Sequence, residues 1–261
     1  MPTKREFLLA VGLCACCSTF GRSSSAQQQP RPSNPPAFDG CSISGAEITR
    51  LQDRDPKVGH LGYGENSFKE IRRTTGDPQA DIALDKAIKR LADAFEVYPG
   101  FAFFDDGGHP NAWATEASLI PNTTYTVLFG ENYYRKWLKY DPSGISVLSV
   151  IAHEFGHIMQ YKSGLMAEIR GGQQTSKRVE LHADYMAGYY VGILKRQNPT
   201  ASFWKAGDKF RQIGTYDDKD PLFHGTPEER VAASQRGFST GYDGRAAKAA
   251  FQLGMSYVAT L

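Results

Sequence analysis

Residues 143–162 read SGISVLSVIAHEFGHIMQYK, an apolar stretch with two histidines and one glutamate near its middle. The apolar residues recur at helical spacing and Gly164 follows as a stop signal, which predicts a helix from Ser143 to Tyr161. On that helix His153 and His157 lie one turn apart, about 40° around the axis. Both imidazoles therefore face the same way and can reach one ion.

Glu154 follows His153 directly and lies about 100° around the predicted helix from it. From there its carboxylate can take a proton from a water that zinc activates without being a ligand itself, and this combination hydrolyses amide bonds. The alternative is two ordinary histidines on a half-buried helix. Because unpaired histidines and a glutamate are costly to bury among apolar residues, the pattern favours a metal site.

A catalytic zinc needs a third protein ligand and one open position. Glu180 and Asp184 are four residues apart on a second predicted helix and share one face, whereas His182 points about 200° away from Glu180. We expect Glu180 to bind one zinc ion per chain together with the two histidines. We expect Asp184 to accept the outer N–H of a ligand histidine and so fix its tautomer. The reverse assignment of the two carboxylates is the main alternative.

The rest of the chain shows both helical and strand patterns. Caps and spaced apolar residues predict helices that begin at Asp77 and Thr226 and that cover residues 133–140 and 176–196. Short apolar runs between turn residues predict strands over Phe101–Phe104, Ala112–Leu119 and Tyr125–Phe129. A helix, a few strands and then further helices indicate an α+β fold, a mostly helical domain with a small sheet beside the helix that carries the histidines.

Length and charge exclude several classes of protein. At roughly 150 residues per domain, 261 residues make one large domain or two small ones. The 30 basic and 28 acidic residues give a formal charge of +2, so no electrostatic argument favours nucleic acid as a partner. With 41% hydrophobic and 22% charged residues, the chain is neither disordered nor a polytopic membrane protein.

Residues 1–26 predict an export signal peptide. Lys4 and Arg5 precede an apolar run, Phe7–Phe20, that is too short to span a bilayer, and small residues ending at Ala26 offer a cleavage site. The alternative, a buried amino-terminal helix, has no amphipathic period or cap to support it. We expect a periplasmic or secreted protein with no transmembrane span after signal removal.

The export route and a lipid anchor are left open by two further stretches. Residues 3–8 resemble a twin-arginine signal with lysine in place of the first arginine, and residues 13–16 resemble a lipoprotein cleavage box. Residues 27–40, rich in Pro, Gln and Ser, predict a disordered linker before a domain over residues 41–261. After cleavage Cys41 is the only cysteine, and it is either an inert or an intermolecular thiol.

Several motifs carry a resemblance to known peptidases. The H-E-x-x-H helix followed by E-x-x-x-D at Glu180–Asp184 resembles the gluzincin metallopeptidases. Val179–Gly188 (VELHADYMAG) is similar to the E-L-x-A-D-x-x-A-G signature of the bacterial neutral zinc metallopeptidases and the HtpX-like membrane proteases. His224–Val231 (HGTPEERV) is similar to the H-G-[ST]-x-x-x-R-V stretch of the first group, and Pro110–Thr115 (PNAWAT) to the N-A-x-A edge strand of the second. These motifs cover roughly residues 101–238; the transmembrane helices of the HtpX-like group have no counterpart.

The resemblance implies a zinc-dependent endopeptidase with a zincin-like fold that acts on proteins or peptides. The zinc ligands that it implies are His153, His157 and Glu180, with Glu154 as general base and acid. The main chain of Ala112, Trp113 and Ala114 would hydrogen-bond an extended substrate that adds to the sheet edge. The oxyanion would need one further donor, for which His224 is the first candidate and Arg230 the second. The alternative for this pair is a loop histidine and an arginine paired with a nearby glutamate.

A different class of function is a non-catalytic zinc-binding exported protein. Its mark would be a fourth metal position closed by His182 or Cys41. A third hypothesis is metal-assisted hydrolysis of a non-peptide such as a cell-wall component. His60 and His109 have no partner at ligand spacing, so we expect both to be structural or surface residues.

Overall fold

The computed structural model describes residues 38–39, 41–52, 70–107, 109–200, 202–220 and 222–261. Strands and helices are both present there, which confirms the predicted α+β class. The predicted export signal, the predicted linker apart from Phe38 and Asp39, and His60 lie outside the described residues.

The described strands are β1 (Phe38–Asp39), β2 (Ser42–Ile43), β3 (Gly100–Phe104), β4 (Ala112–Thr115) and β5 (Thr126–Gly130). They form one mixed sheet in the order β1-β2-β4-β5-β3. β4 pairs antiparallel with β5, which pairs parallel with β3. β2 pairs parallel with β4 on the other side, with Ser42 opposite Ala114. β1 lies within the segment that the sequence predicted to be a linker.

β3 and β5 lie where strands were predicted, but β4 ends at Thr115 instead of Leu119. The side chain of Thr126 is the reason. Its hydroxyl donates to the carbonyl of Ala117 at 2.8 Å and accepts the N–H of Leu119 at 3.0 Å. The backbone after Thr115 therefore bonds to this hydroxyl instead of continuing the strand ladder.

The described helices are α1 (Gly45–Gln52), α2 (Pro78–Phe95), α3 (Glu131–Tyr140), α4 (Ile145–Ser163), α5 (Met166–Arg170), α6 (Lys177–Gln197), α7 (Trp204–Ile213), α8 (Pro227–Tyr242) and α9 (Ala247–Val258). The predicted helices correspond to α2, α3, α4, α6 and α8. None of the helices in the described ranges has both the length and the apolar character needed to cross a membrane.

Side-chain caps fix where three of these helices begin. The carboxylate of Asp77 accepts two N–H groups in the first turn of α2. Thr226 and Glu229 form a reciprocal capping box at the start of α8. α4 has no side-chain cap on its own N-cap residue, and the carboxylate of Asp141 instead accepts the N–H of Ser146 at 3.0 Å. Each cap satisfies backbone donors that the helix itself leaves unpaired.

Both faces of the sheet are buried. Alternate strand residues point to opposite faces. Phe103 and Phe129 belong to the larger core, which α4 and α6 share, while Phe104 and Leu128 belong to a smaller core on the other face. α4 packs against one face of the sheet on one side and against α6 on the other.

α6 is held close to helices on two sides by glycines. A Cβ added at Gly188 of α6 would lie 1.9 Å from a backbone carbonyl of α8, and one added at Gly237 of α8 would lie 1.8 Å from the carbonyl of Tyr185. On the other side, a Cβ at Gly156 of α4 would lie 3.0 Å from the Cα of Ala183. Main chain therefore meets main chain, so short side chains of α4, α6 and α8 can reach one another.

Candidate metal centre

Two helices bring the three predicted ligand side chains to one point. His153 and His157 of α4 and Glu180 of α6 are each at most 1% exposed. The Nε2 atom of His153 lies 3.2 Å from Oε2 of Glu180, and Nε2 of His157 lies 3.4 Å from Oε1. The two Nε2 atoms are 3.1 Å apart.

Each imidazole is oriented by a partner on its other nitrogen. Nδ1 of His153 lies 2.8 Å from Oδ1 of Asp184, and Nδ1 of His157 lies 2.9 Å from Oε1 of Gln160. The amide of Gln160 has a fixed orientation because its nitrogen donates to the carbonyl of Val179. Both partner atoms are therefore acceptors, so both Nδ1 atoms carry hydrogen and the Nε2 lone pairs face each other.

The converging atoms fit a divalent cation. Two nitrogen lone pairs 3.1 Å apart beside a carboxylate repel one another unless a proton or a metal cation lies between them. Oε2 of Glu180 is buried and accepts no hydrogen bond from any described residue. Burial lowers the pKa of His157, but Glu180 outweighs burial and raises it to about 9. A carboxylate that stabilises the protonated imidazole of His157 so strongly also stabilises a metal cation at the same place.

Cys41 contributes a further donor at this point. One ligand atom from each of Cys41, His153 and Glu180 lies within 4.8 Å of the other two. The N–H of Cys41 also donates to Oε1 of Glu180 at 2.7 Å. Because Cys41 directly precedes β2, the pairing of β2 with β4 sets its position. The non-catalytic alternative requires Cys41 to lie at this point, where its thiol could close the fourth metal position.

Glu154 is buried beside the histidines. Its side chain is 1% exposed, and its Oε2 atom has no hydrogen-bond partner among the described residues. Burial raises the pKa of Glu154 to about 7. A buried carboxylate with a pKa in this range can both take and return a proton near neutral pH.

Arg230 and Asp184 form a buried ion pair behind His153. The guanidinium donates through Nε to Oδ2 of Asp184 at 2.7 Å and through Nη2 to Oδ1 at 2.8 Å. Nη2 also lies 3.7 Å from Oε2 of Glu180. Arg230, expected either to contact substrate or to pair with a nearby glutamate, is 1% exposed and is paired with an aspartate, Asp184. The bidentate pair holds the carboxylate that orients His153.

Two further basic side chains, His224 and Lys209, lie near this cluster. His224 is a half-buried residue in the loop before α8. Burial lowers the pKa of its imidazole, and the nearby charge of Glu180 opposes this effect. Lys209 of α7 is 1% exposed, and burial together with the charge of Arg230 lowers its pKa to about 8. Lys209 was not among the residues that the sequence predicted for the site. His109 is exposed in the loop between β3 and β4.

His182 is turned away from the metal point and supports it indirectly. Its Nδ1 atom accepts from the amide nitrogen of Gln160 at 3.0 Å, and its Nε2 donates to the carbonyl of Phe251 in α9 at 3.1 Å. Burial lowers the pKa of His182 to about 4, which keeps the ring neutral. Gln160 thus joins His182 to His157. Gln160 was not predicted either, although its position three residues after His157 placed it on the same helix face.

The expectation that Ala112, Trp113 and Ala114 form a free sheet edge is wrong for the described sheet. β4 lies between β5 and β2, and the N–H of Ala114 donates to the carbonyl of Cys41 at 3.0 Å. The physical reason is that residues 41–43, for which the sequence predicted no strand, occupy that side of β4. Trp113 points into the smaller core and is 3% exposed.

No known protein family, curated protein or solved structure matches this chain. The chemistry of the described side chains is therefore the ground for a functional assignment.

Proposed function

We propose that this chain is a zinc-dependent endopeptidase of the gluzincin type, with a zincin-like fold, exported from the cytoplasm and acting on proteins or peptides. The observation that supports it most is the buried, unpartnered carboxylate oxygen of Glu154 directly beside two histidines whose Nε2 atoms meet Glu180. The resemblance of the two helical motifs to gluzincin peptidases adds to this geometry.

Five residues form the proposed zinc site, three as ligands and two as partners that orient the imidazoles. His153, His157 and Glu180 would bind the ion, while Asp184 and Gln160 keep the imidazoles in the tautomer that leaves Nε2 free. When bound, zinc lowers the pKa of a water molecule to about 7 and polarises a carbonyl group.

The remaining chemistry falls to side chains of this chain. Glu154 takes the proton of the attacking water and returns it to the leaving amine. His224, near Glu180, is the first candidate to donate a hydrogen bond to the developing oxyanion. Arg230, which bonds to Asp184, is assigned to positioning. The main chain of residues 112–114 binds the substrate when that side of β4 is free.

A non-catalytic zinc-binding protein is the second candidate function. The position of the Cys41 thiol near His153 and Glu180 favours it. A thiolate added to the two imidazoles and the carboxylate would make four ligands and leave no place for water. The unpartnered carboxylate oxygen of Glu154 favours the peptidase, since a purely structural site has no need of a buried base.

The variant Glu154→Gln separates the two functions. It should keep one zinc ion per chain and lower hydrolysis of casein or a peptide library by at least about 100-fold, because an amide cannot accept the proton. Glu168→Gln, exposed on α5, is the matched control and should change neither quantity. Both substitutions are made in the wild-type chain and together with Cys41→Ser, which opens the fourth position. Hydrolysis by the zinc-loaded Cys41→Ser protein that Glu154→Gln leaves unchanged would remove Glu154 from the mechanism.

A further inference from the structure

Residues 41–43 occupy two places that a zinc peptidase must leave open. The Cys41 thiol lies among the candidate ligands, and β2 covers the side of β4 to which a peptide would add. We propose that Cys41 is a fourth ligand of the metal and that residues 41–43 hold the enzyme in a latent form. This inference rests on the proposed peptidase function and names how that activity is controlled.

Backbone and side-chain contacts hold the segment at both places. The N–H of Cys41 donates to Oε1 of Glu180 at 2.7 Å, and its carbonyl accepts the N–H of Ala114 at 3.0 Å. The next residue, Ser42, is 2% exposed and donates to the hydroxyl of Tyr161 at 2.6 Å. The segment is thus bonded to α6, β4 and α4 on either side of the thiol.

The donor set argues for a metal ligand and against an inert thiol. Glu180, whose buried Oε2 has no hydrogen bond from the described residues, belongs to the same cluster as the thiol. Sulfur, imidazole and carboxylate are all zinc ligands, and four of them complete a tetrahedral site. On binding, the thiol of Cys41 releases its proton to solvent and the thiolate takes the place of a water molecule.

Ligation by Cys41 stops hydrolysis in two ways. A site with four protein ligands has no position for the attacking water, as in structural zinc sites. The occupied side of β4 also leaves no main-chain donors for a substrate strand. β2 meets β4 at one described register pair, Ser42 opposite Ala114, and the ligated thiolate adds a further tie to this short pairing. Loss of that tie therefore lets the segment exchange with substrate.

Cobalt(II) loading tests the ligand independently of activity. The reduced full-length chain, carrying one cobalt per chain, should show a near-ultraviolet absorption band from sulfur-to-cobalt charge transfer. The band should disappear in Cys41→Ser. It should persist in a matched variant that replaces the other cysteines, Cys14, Cys16 and Cys17, by serine. A wild-type cobalt protein without the band, or a band that survives Cys41→Ser, would overturn the proposal.

Hydrolysis by the zinc-loaded proteins tests latency. Cys41→Ser should cleave a peptide library at least tenfold faster than the wild type, and Glu154→Gln in the same chain should abolish the gain. Equal, measurable rates with and without the thiol would refute latency while leaving the peptidase assignment intact. A cobalt–thiolate band with no hydrolysis by either protein would refute the peptidase assignment itself, and latency with it.

Discussion

Gln160 uses its whole side-chain amide to hold neighbours in place. Its oxygen accepts from His157, and its nitrogen donates to the carbonyl of Val179 and to His182. No atom of this amide needs to touch a metal ion for the site to depend on it. A histidine whose outer nitrogen loses such a partner can rotate or change tautomer, and either change weakens a metal site.

Replacing this residue should therefore affect metal binding directly. Gln160→Leu should weaken zinc retention by about 10- to 100-fold and lower the free energy of unfolding by about 1–3 kcal/mol, because buried polar groups lose their partners. Competition with a chelating dye and thermal unfolding measure the two effects. Gln252→Leu, exposed on α9, is the control and should change neither. Wild-type zinc retention in Gln160→Leu would contradict the orienting role.

Helical periodicity explains which site residues the sequence could predict. His153 and His157 share a helix face, as do Glu180 and Asp184, so the residue spacing alone placed the members of each pair side by side. Periodicity relates only residues of one element. The thiol of Cys41 and the ammonium of Lys209 reach the cluster from other parts of the chain, and no local spacing connects them to the histidines.

The crossing of α6 and α8 links two elements through direct main-chain contact. Gly188 and Gly237 leave no room for a side chain where the helices meet. The short separation lets Arg230 of α8 form two hydrogen bonds with Asp184 of α6. Helix packing and the orientation of His153 thus depend on the same contact.

A pair of glycine substitutions tests this crossing. Gly237→Ala should lower the free energy of unfolding by about 3 kcal/mol, because its Cβ would lie 1.8 Å from the carbonyl of Tyr185. Gly207→Ala in α7 has open space around the added Cβ and should raise stability by about 0.5–1 kcal/mol. Denaturant unfolding of both proteins gives the comparison. Equal stability of the two variants would show that the crossing tolerates separation.

Strong end signals made two of the helices predictable, while α1, α5, α7 and α9 of the described helices were not predicted. Asp77 and the Thr226–Glu229 box mark α2 and α8 by short-range hydrogen bonds that the sequence displays. α7 escaped prediction because it begins without a side-chain cap and contains Gly207. The pairing of β2 with β4 escaped for another reason, since sheet order depends on contacts between distant segments.

Over the whole molecule, the metal point joins the segment before β2 to α4 and α6, and the Asp184–Arg230 pair adds α8. An ion bound there cross-links parts of the chain that are far apart in sequence. The coarse α+β class could be predicted from the order of the patterns alone. The packing of these segments against one another could not be predicted, because it depends on burial and on charge interactions between residues that are distant in sequence.

Zinc should therefore stabilise the entire fold. At a free zinc concentration about 1,000-fold above the dissociation constant, the gain in unfolding free energy should be about 4 kcal/mol, seen as a higher Tm that a chelator reverses. Glu180→Gln, which removes the ligand charge but keeps the side-chain size, should lose most of the zinc-dependent rise. A wild-type Tm that zinc does not change would contradict a metal site at this point.

The bond from His182 to the carbonyl of Phe251 has a practical consequence for anyone who trims this protein. Deleting α9 removes the acceptor for the ring nitrogen of His182, and through Gln160 the disturbance reaches His157. Truncation at the carboxyl terminus is often a harmless way to simplify a protein for expression. Here it would disturb the orientation of His157, a proposed zinc ligand.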